Sequence, residues 1–360
     1  MQNQDISQAL QEHVKQAIKV RQAICIRGGG SKDFYGREPF GEVLDVSPHR
    51  GIVSYEPTEL VITARAGTPL REIEETLAQS RQMLAFEPPA FGKQATLGGT
   101  IACNLSGPRR PYTGAARDFV LGVKILNGKG EILSFGGEVM KNVAGYDVSR
   151  LMTGAMGTLG ILLEVSLKVL PRPEKQLSLV HDEMQPDAAL EIIHRWSALP
   201  LPISAVCYYE KQLHVRLSGT GGAIRAAHNS MGGQAIDERS SGEYWRLVKE
   251  HRHAFFTGHR PLWRLSVASD TPQMSLNGAW LHEWNGAQRW LVSEETPRAI
   301  REAAACAGGH ATLYRNGQNR QDVFHPLPGP LMKIQHRLKQ AFDPAGILNP
   351  GRMYETPGKR

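Results

Sequence analysis

Three glycine-rich segments carry residue types that let a backbone approach a phosphate-bearing ligand. The first, Arg27-Gly28-Gly29-Gly30-Ser31-Lys32, follows the apolar run at residues 23–26, which predicts a strand. Successive glycines permit positive φ and close approach. Their consecutive N–H groups form a nest for phosphate oxygens. Ser31 and Lys32 add a hydroxyl and a positive charge. A flexible glycine turn is the competing reading, and this segment alone does not choose between the two. No GxGxxG opens a helix here and no GK[ST] follows, so neither a dinucleotide fingerprint nor a Walker loop is present.

The second segment spans residues 95–107 and places Leu97, Gly98, Gly99, Ala102 and Asn104 beside Thr96 and Thr100. Such small residues suit a backbone lying against a flat ring or a pyrophosphate; otherwise this is a tightly packed loop. The third joins Lys141-Asn142-Val143-Ala144-Gly145-Tyr146-Asp147 to a stretch holding Gly154, Gly157, Thr158, Gly160 and Ile161. Asp147 reads equally as a helix cap or a ligand group, and Lys141 as a solvated lysine. Each segment has a structural reading. All three in one stretch point to a large phosphate-bearing ligand.

The elements that must position them follow from the apolar pattern. Ile6, Leu10, Val14 and Ile18 are spaced as one helix face, with Asp5 as its cap. Residues 43–46 and 60–66 read as strands. Thr68 reads as the cap of a helix with Pro69 in its first position and Leu70, Ile73 and Leu77 inside. Residues 88–118 read as an ordered loop. A hairpin follows, turning at Asn127-Gly128-Lys129-Gly130, and then a long strand over residues 160–170. Pro171-Arg172-Pro173 ends that strand and marks a boundary. Beyond it, strands at 177–181, 204–209, 212–217, 262–267, 288–292 and 310–314 alternate with helices near 187–197, 222–231, 243–252 and 296–306. That alternation predicts a mixed α+β domain of ferredoxin-like arrangement. A helix near 330–342 and a turn-rich close complete the chain. The expected division is 1–172, 173–328 and 329–360.

The chain has 360 residues, 41% of them hydrophobic and 21% charged, as in ordinary globular proteins. The net charge of +7 is spread without a basic run or an aromatic-interleaved basic patch, which argues against nucleic acid as partner. Cys25, Cys103, Cys207 and Cys306 lie far apart, so no iron–sulfur or zinc spacing exists and no metal is expected. The polar start, MQNQDISQALQEH, predicts no signal peptide. No apolar run approaches the length of a transmembrane helix. These features predict a cytoplasmic protein with reduced thiols.

The three motifs together resemble the FAD-binding domain of the vanillyl-alcohol oxidase/p-cresol methylhydroxylase (PCMH-type) family. The likeness covers residues from about 6 to 170 and the close near 343–352. Within that family the chain is similar to FAD-binding subunits of glycolate-oxidising complexes, at residues 45–67, 107–122, 136–150, 201–204, 308–312 and 343–354. The resemblance implies an α+β fold, with an FAD domain of two α/β subdomains and a smaller cap. It implies FAD pyrophosphate on Gly28, Gly29, Gly30, Ser31 and Lys32. Leu97, Gly98, Gly99, Ala102 and Asn104 would follow the flavin and ribityl chain. Gly157, Gly160 and Ile161 would lie near the adenine half or the ring edge, and Asn349 would return toward the flavin.

Covalently flavinylated relatives carry a histidine in the first loop. Here Gly30-Ser31-Lys32-Asp33 stands there, so the FAD is expected to be non-covalent. The implied activity is oxidation of glycolate, a small 2-hydroxy acid, to glyoxylate. The implied partners are a homologous larger FAD-binding subunit and an iron–sulfur subunit that delivers electrons to quinone, at the inner face of the membrane. Larger relatives carry a histidine/glutamate cluster in the cap for metal and substrate, and residues 177–330 show none. The alternatives are therefore a non-catalytic FAD-binding structural or relay subunit, or a stand-alone dehydrogenase of another 2-hydroxy acid. No catalytic residue is assigned. His310 is the best histidine to face the flavin. Arg109, Arg110 and Arg117 are the arginines considered for a substrate carboxylate. His251, His253 and His259 are expected to face solvent, and the tryptophan-rich stretch 245–290 to form core.

Overall fold

The structure is a computed structural model that describes residues 3–137, 147–317 and 320–355. Two compact units result. One comprises Met1–Leu105, Ala115–Pro171 and Pro326–Arg360; the other comprises Ser106–Gly114 and Arg172–His325.

The first unit begins with α1 (Ser7–Val20), β1 (Ile24–Arg27) and β2 (Glu42–Asp45), the two strands pairing in parallel. Leu10, Val14 and Ala17 on α1 are buried against Ile24, Leu44, Ile347 and Leu348. The N-cap of α1 is Ile6, not Asp5; Asp5, one residue earlier, accepts from the Ser7 N–H at 2.8 Å. Next come β3 (Ile52–Glu56), β4 (Val61–Arg65), α2 (Leu70–Gln79) and β5 (Gln82–Met83). Thr68 does not cap α2. Its hydroxyl is held by the backbone N–H and C=O of Gly51, at 2.9 and 3.2 Å, and the chain enters the helix through Pro69.

The region expected to be a loop, 88–118, instead contains α3 (Leu97–Cys103), α4 (Arg110–Thr113) and α5 (Ala116–Phe119), with α4 packing in the second unit. Two glycines hide α3 from a propensity reading. The helix forms because Thr96 caps it, accepting from Gly99 N–H at 3.3 Å, and because Leu97 and Ile101 are buried in the core. β6 (Val120–Leu126) and β7 (Ile132–Gly136) form the expected hairpin, with Asn127 Oδ1 accepting from the Lys129 and Glu131 N–H groups. After α6 (Val148–Met152), β8 (Ile161–Lys168) lies between β4 and β6, giving a five-stranded antiparallel sheet in the order β3-β4-β8-β6-β7. β9 (Leu170–Pro171) pairs with β5.

The second unit continues with β10 (Lys175–His181), α7 (Pro186–Ser197), β11 (Ile203–Tyr209), β12 (Gln212–Gly219), α8 (Gly221–Met231) and β13 (Gln234–Ile236). Their order, β13-β10-β12-β11, is that of the expected ferredoxin-like arrangement. The sheet does not stop there. After α9 (Glu238–Lys249), four more strands extend it from β11 in the order β15-β16-β14-β17: β14 (Leu262–Ser266), β15 (Ala279–Glu283), β16 (Gln288–Val292) and β17 (His310–Arg315). α10 (Pro297–Cys306) precedes β17, and α11 (Gly329–Phe342) returns the chain to the first unit.

One sheet face is apolar. It packs Val206, Leu213, Val215 and Leu217 beneath α7 and α8, and Trp263, Leu265, Leu291 and Leu313 beneath α10. Trp245, Trp263, Trp284 and Trp290 are buried, as expected of a tryptophan-rich core. The expected solvent-facing histidines are corrected for two of three. His251 lies among Phe256, Trp290 and Tyr314, and His253 accepts from the Phe255 N–H; only His259 is exposed. The aromatic residues that follow α9 need neighbours, and the helix end turns these rings inward.

His282 on β15 is 1% exposed, and neither ring nitrogen has a hydrogen-bond partner among the described residues. Burial, with Arg289 nearby, pushes its pKa down to about 3. Below the ordinary value of ~6.5 the unfolded chain binds a proton that the folded chain refuses. The stability is therefore fully present above that pH and falls by about 1.4 kcal/mol per unit toward pH 3. Tryptophan fluorescence melts between pH 7 and 4.5 should show a falling Tm, and His282→Phe should flatten the slope. An unchanged slope would mean that the imidazole is not held neutral.

Candidate functional site

The three glycine segments meet in the first unit. β1 ends at Arg27, whose guanidinium pairs with Asp33 at 2.7 Å, while Asp33 N–H donates to Gly30 O. The loop between them rests on the approach to α3. A Cβ on Gly29 would stand 1.5 Å from the Gln94 carbonyl oxygen, and one on Gly28 would stand 2.6 Å from Thr96 Oγ1. Only glycine fits these positions. Gly30 has φ +69°. Lys32 is not a solvated charge: its ammonium donates to Ala90 O at 3.3 Å and Ser31 Oγ at 3.4 Å and lies 5.6 Å from the Phe91 ring.

α3 presses against β4 through Gly98, whose N–H donates to Ala66 O at 2.7 Å. Leu97 is buried and Ala102 packs at the edge of the same core. Gly99 differs from its neighbours: a Cβ there would meet only Thr96 Oγ1, at 3.2 Å. Asn104 ends the helix in the left-handed conformation, φ 51°. Its Oδ1 is buried without a hydrogen-bond partner among the described residues. Gly154 N–H and Met156 N–H donate to Ile101 O and Ala102 O, which fastens the third segment to α3. Residues 141–146 of that segment lie outside the described residues. Asp147 caps α6, accepting from Arg150 N–H at 3.1 Å. Gly160 and Ile161 lead into β8, where Ile161 pairs with Leu126.

Asn349 joins the segments. Its Oδ1 accepts from Ile26 N–H on β1 at 2.7 Å, and its Nδ2 donates to Met156 O at 2.7 Å. A Cβ on Gly157 would be 2.6 Å from that Nδ2. Arg352, three residues on, donates to Arg37 O at 2.9 Å and Tyr35 O at 2.6 Å, anchoring the end of the first loop. Sequence reading singled out neither Gln94 nor Arg352. The only signal for Arg352 is an arginine directly after Pro350-Gly351 in the turn-rich close. Beside Asn349 and Arg352 a cavity of about 410 Å3 is lined by Thr158, His336, Lys339 and Tyr354. Burial pushes the Cys25 and Cys103 thiols up, so neither is a ready nucleophile.

The remaining candidates lie apart from this cluster in the chain. Arg109 is buried and donates to Ser218 Oγ at 3.4 Å, Arg110 lies 4.1 Å from the Trp284 ring, and Arg117 is exposed. The first two belong to the second unit. His310 opens β17, exposed, with its ring 6.5 Å from that of His325.

The FAD_binding_4 family, an FAD binding domain, matches residues 6–136. Glycolate oxidase subunit GlcE of Escherichia coli (strain K12) is 50% identical over 350 residues, which cover 97% of this chain and 98% of that protein. Glycolate oxidase subunit GlcD of Bacillus subtilis (strain 168) is 32% identical over 175 residues, 48% of this chain and 37% of that protein. Among solved structures, alkyldihydroxyacetonephosphate synthase matches with a TM-score of 0.65 at 15% identity, covering 95% of this chain and 74% of that one. That likeness is one of fold, and it agrees with the expected PCMH-type architecture.

The cofactor is FAD, and the residues present fit it. The loop is glycine at three successive positions and so adds no side chain of its own there, and Asn104 Oδ1 is a buried acceptor still in need of a donor. Free cysteines and no His/Cys/Asp/Glu metal group occur among the described residues. With half its residues shared along nearly the full length of both chains, this protein belongs to the GlcE family of glycolate oxidase subunits.

Proposed function

We propose that the chain is the FAD-holding GlcE-type subunit of a complex that oxidises glycolate to glyoxylate. The observation that carries this reading is the 50% identity over 97% of the chain, spanning both units rather than the FAD domain alone. Gly28, Gly29, Gly30, Ser31 and Lys32 hold the pyrophosphate. Leu97, Gly98, Gly99, Ala102 and Asn104 follow the flavin and ribityl chain, and Gly157, Gly160 and Ile161 face the adenine half or the ring edge. When bound, FAD supplies two-electron exchange with a hydroxy acid and one-electron exchange with a carrier. The partners are a larger GlcD-like FAD subunit and an iron–sulfur subunit, with the assembly on the cytoplasmic face of the membrane. Among the described residues no helix is long and apolar enough to cross a membrane.

The function is tested by dye-linked glycolate oxidation. The lone chain should be slow and should gain activity when combined with a GlcD-like and an iron–sulfur subunit. A complex that ignores glycolate would overturn the reading.

The FAD is held without a covalent bond. What supports this is the loop itself, Gly30-Ser31-Lys32-Asp33, which offers no imidazole. His49, the next histidine along the chain, is 1% exposed, with Nδ1 occupied by the Ile6 N–H. Acid precipitation should leave all yellow colour in the supernatant; flavin retained on the protein pellet would refute the claim.

Asn349 positions the frame rather than touching substrate. Asn349→Ala removes two hydrogen bonds of about 1 kcal/mol each and should weaken FAD binding by ten-fold or more. Asn349→Asp keeps the acceptor for Ile26 N–H but puts a second acceptor against Met156 O, so it should not rescue. Titration of the flavin-free chain with FAD, followed by flavin fluorescence, measures both. Unchanged affinity in Asn349→Ala would remove the residue from this role.

A further inference from the structure

The second unit carries an arginine, Arg264, for which its own fold supplies no ion-pair partner among the described residues. In β14 and β17, Arg264 pairs with Thr312 and Ser266 with His310. Their neighbours Leu265 and Ala311 belong to the apolar face beneath α10. Alternation therefore places Arg264, Ser266, His310 and Thr312 together on the opposite face. On the other side of β14, Arg264 pairs with Trp290 and Ser266 with Gln288. Thr312, Trp290 and Gln288 are buried and make the floor, Arg264 and Ser266 are half-buried, and His310 is exposed.

Among the described residues Arg264 makes no hydrogen bond and no ion pair. Its charge reaches His251 and His310 and pushes the pKa of both down. The carboxylate on this face, Glu283, already accepts from Trp290 Nε1 at 2.7 Å and Gln288 Nε2 at 3.2 Å. His325 adds a donor. Its Nδ1 accepts from Ala311 N–H at 3.4 Å, which leaves the ring proton on Nε2, and its ring lies 6.5 Å from that of His310. A half-buried guanidinium with a hydroxyl and two imidazoles around it, and with the Glu283 carboxylate of its face engaged by Trp290 and Gln288, is complementary to an anion. The planar fork of arginine matches a carboxylate in particular. Paired residues lie ~5 Å apart and diagonal ones ~7–8 Å apart, so one small acid can meet Arg264 and His310 together.

We propose that Arg264, with Ser266, His310 and His325, binds the carboxylate of a small hydroxy or oxo acid, Arg264 taking the carboxylate and His310 lying beside the adjoining hydroxyl or carbonyl. The identity of that acid as glycolate rests on the proposed function; the carboxylate site does not.

The test is equilibrium binding of glycolate and of acetate to the full FAD-loaded chain, by calorimetry, with inorganic phosphate as a third probe. Both acids should bind, phosphate more weakly. Arg264→Gln should weaken both acids at least ten-fold, and Arg264→Lys should recover part of the loss. His310→Asn should weaken glycolate more than acetate. Flavin content and Tm of each variant serve as folding controls, and Arg264→Lys keeps the charge should Arg264→Gln fail to fold. Glycolate binding unchanged in a folded Arg264→Gln chain overturns the site and leaves the proposed function standing. Arg264-dependent binding of acetate by a chain whose complex does not oxidise glycolate upholds the site and removes the functional reading. Phosphate binding as tightly as the acids, or neither acid binding at all, overturns the carboxylate assignment.

Discussion

The carboxamide of Asn349 is the constraint on which the cofactor frame depends. One end accepts from the first strand and the other donates to the turn before β8. A carboxamide carries its acceptor and its donor on separate atoms of one short stem, so it can face both groups at once. An aspartate would turn two acceptors toward sites of which one is a carbonyl. The residue is delivered there by its own tail. Asp343, 1% exposed, accepts from the Ile347 and Leu348 N–H groups and pairs with Lys339 at 2.6 Å, while Leu348 bridges Ile24. A buried carboxylate held by two N–H groups and an ammonium is expensive to break, so the last turns of the chain are fixed before Asn349 reaches β1.

The glycines of this frame answer two demands at once. Gly29 lies on the Gln94 carbonyl and Gly98 on Ala66, with no room for a methyl group at either. Those two are glycine because one backbone lies on another. A glycine turn and a phosphate nest are therefore not rival readings of residues 28–30. The turn is what packs on the α3 approach, and the same glycines add no side chain over the N–H groups of a nest. Gly99 is the exception that shows where space remains, since only the hydroxyl of Thr96 stands near its missing Cβ.

How much was legible follows from what each residue answers to. The first five elements of the second unit's βαββαβ half were readable because they bury regular apolar faces, and Glu210-Lys211 turn with φ of 44° and 66° between two such strands. β15 was not, because Trp280 and His282 face one side and Leu281 and Glu283 the other, so both faces mix polar and apolar residues. β13, of three residues, and the mostly solvated β3 lack a pattern to find. At the site, the glycine segments declared themselves by composition. What holds them together did not: the grip of Arg352 on Tyr35 and Arg37 carbonyls spans more than three hundred residues of sequence. The burial of Lys32 against Ala90 and Phe91 is likewise a tertiary fact, invisible in a loop that reads as polar.

The second unit gives a measure of how this fold treats buried cations. Arg289 is fully buried, and its guanidinium donates to the carbonyls of Gly286, Pro272 and Thr271. Burial still pulls its pKa down to about 10. Arg301 holds Asp322 through a carboxylate and a carbonyl. Arg216 donates to Ser204 and lies 5.2 Å from the Trp245 ring. Each of these three cations, withdrawn from water, is met by oxygens that the chain itself supplies, because an unmatched buried charge costs several kcal/mol. Arg264 sits in the same sheet, one strand from Arg289, without that provision among the described residues. Half-buried rather than withdrawn, it stays open to solvent, and a carboxylate arriving there meets a guanidinium that no chain oxygen occupies among the described residues.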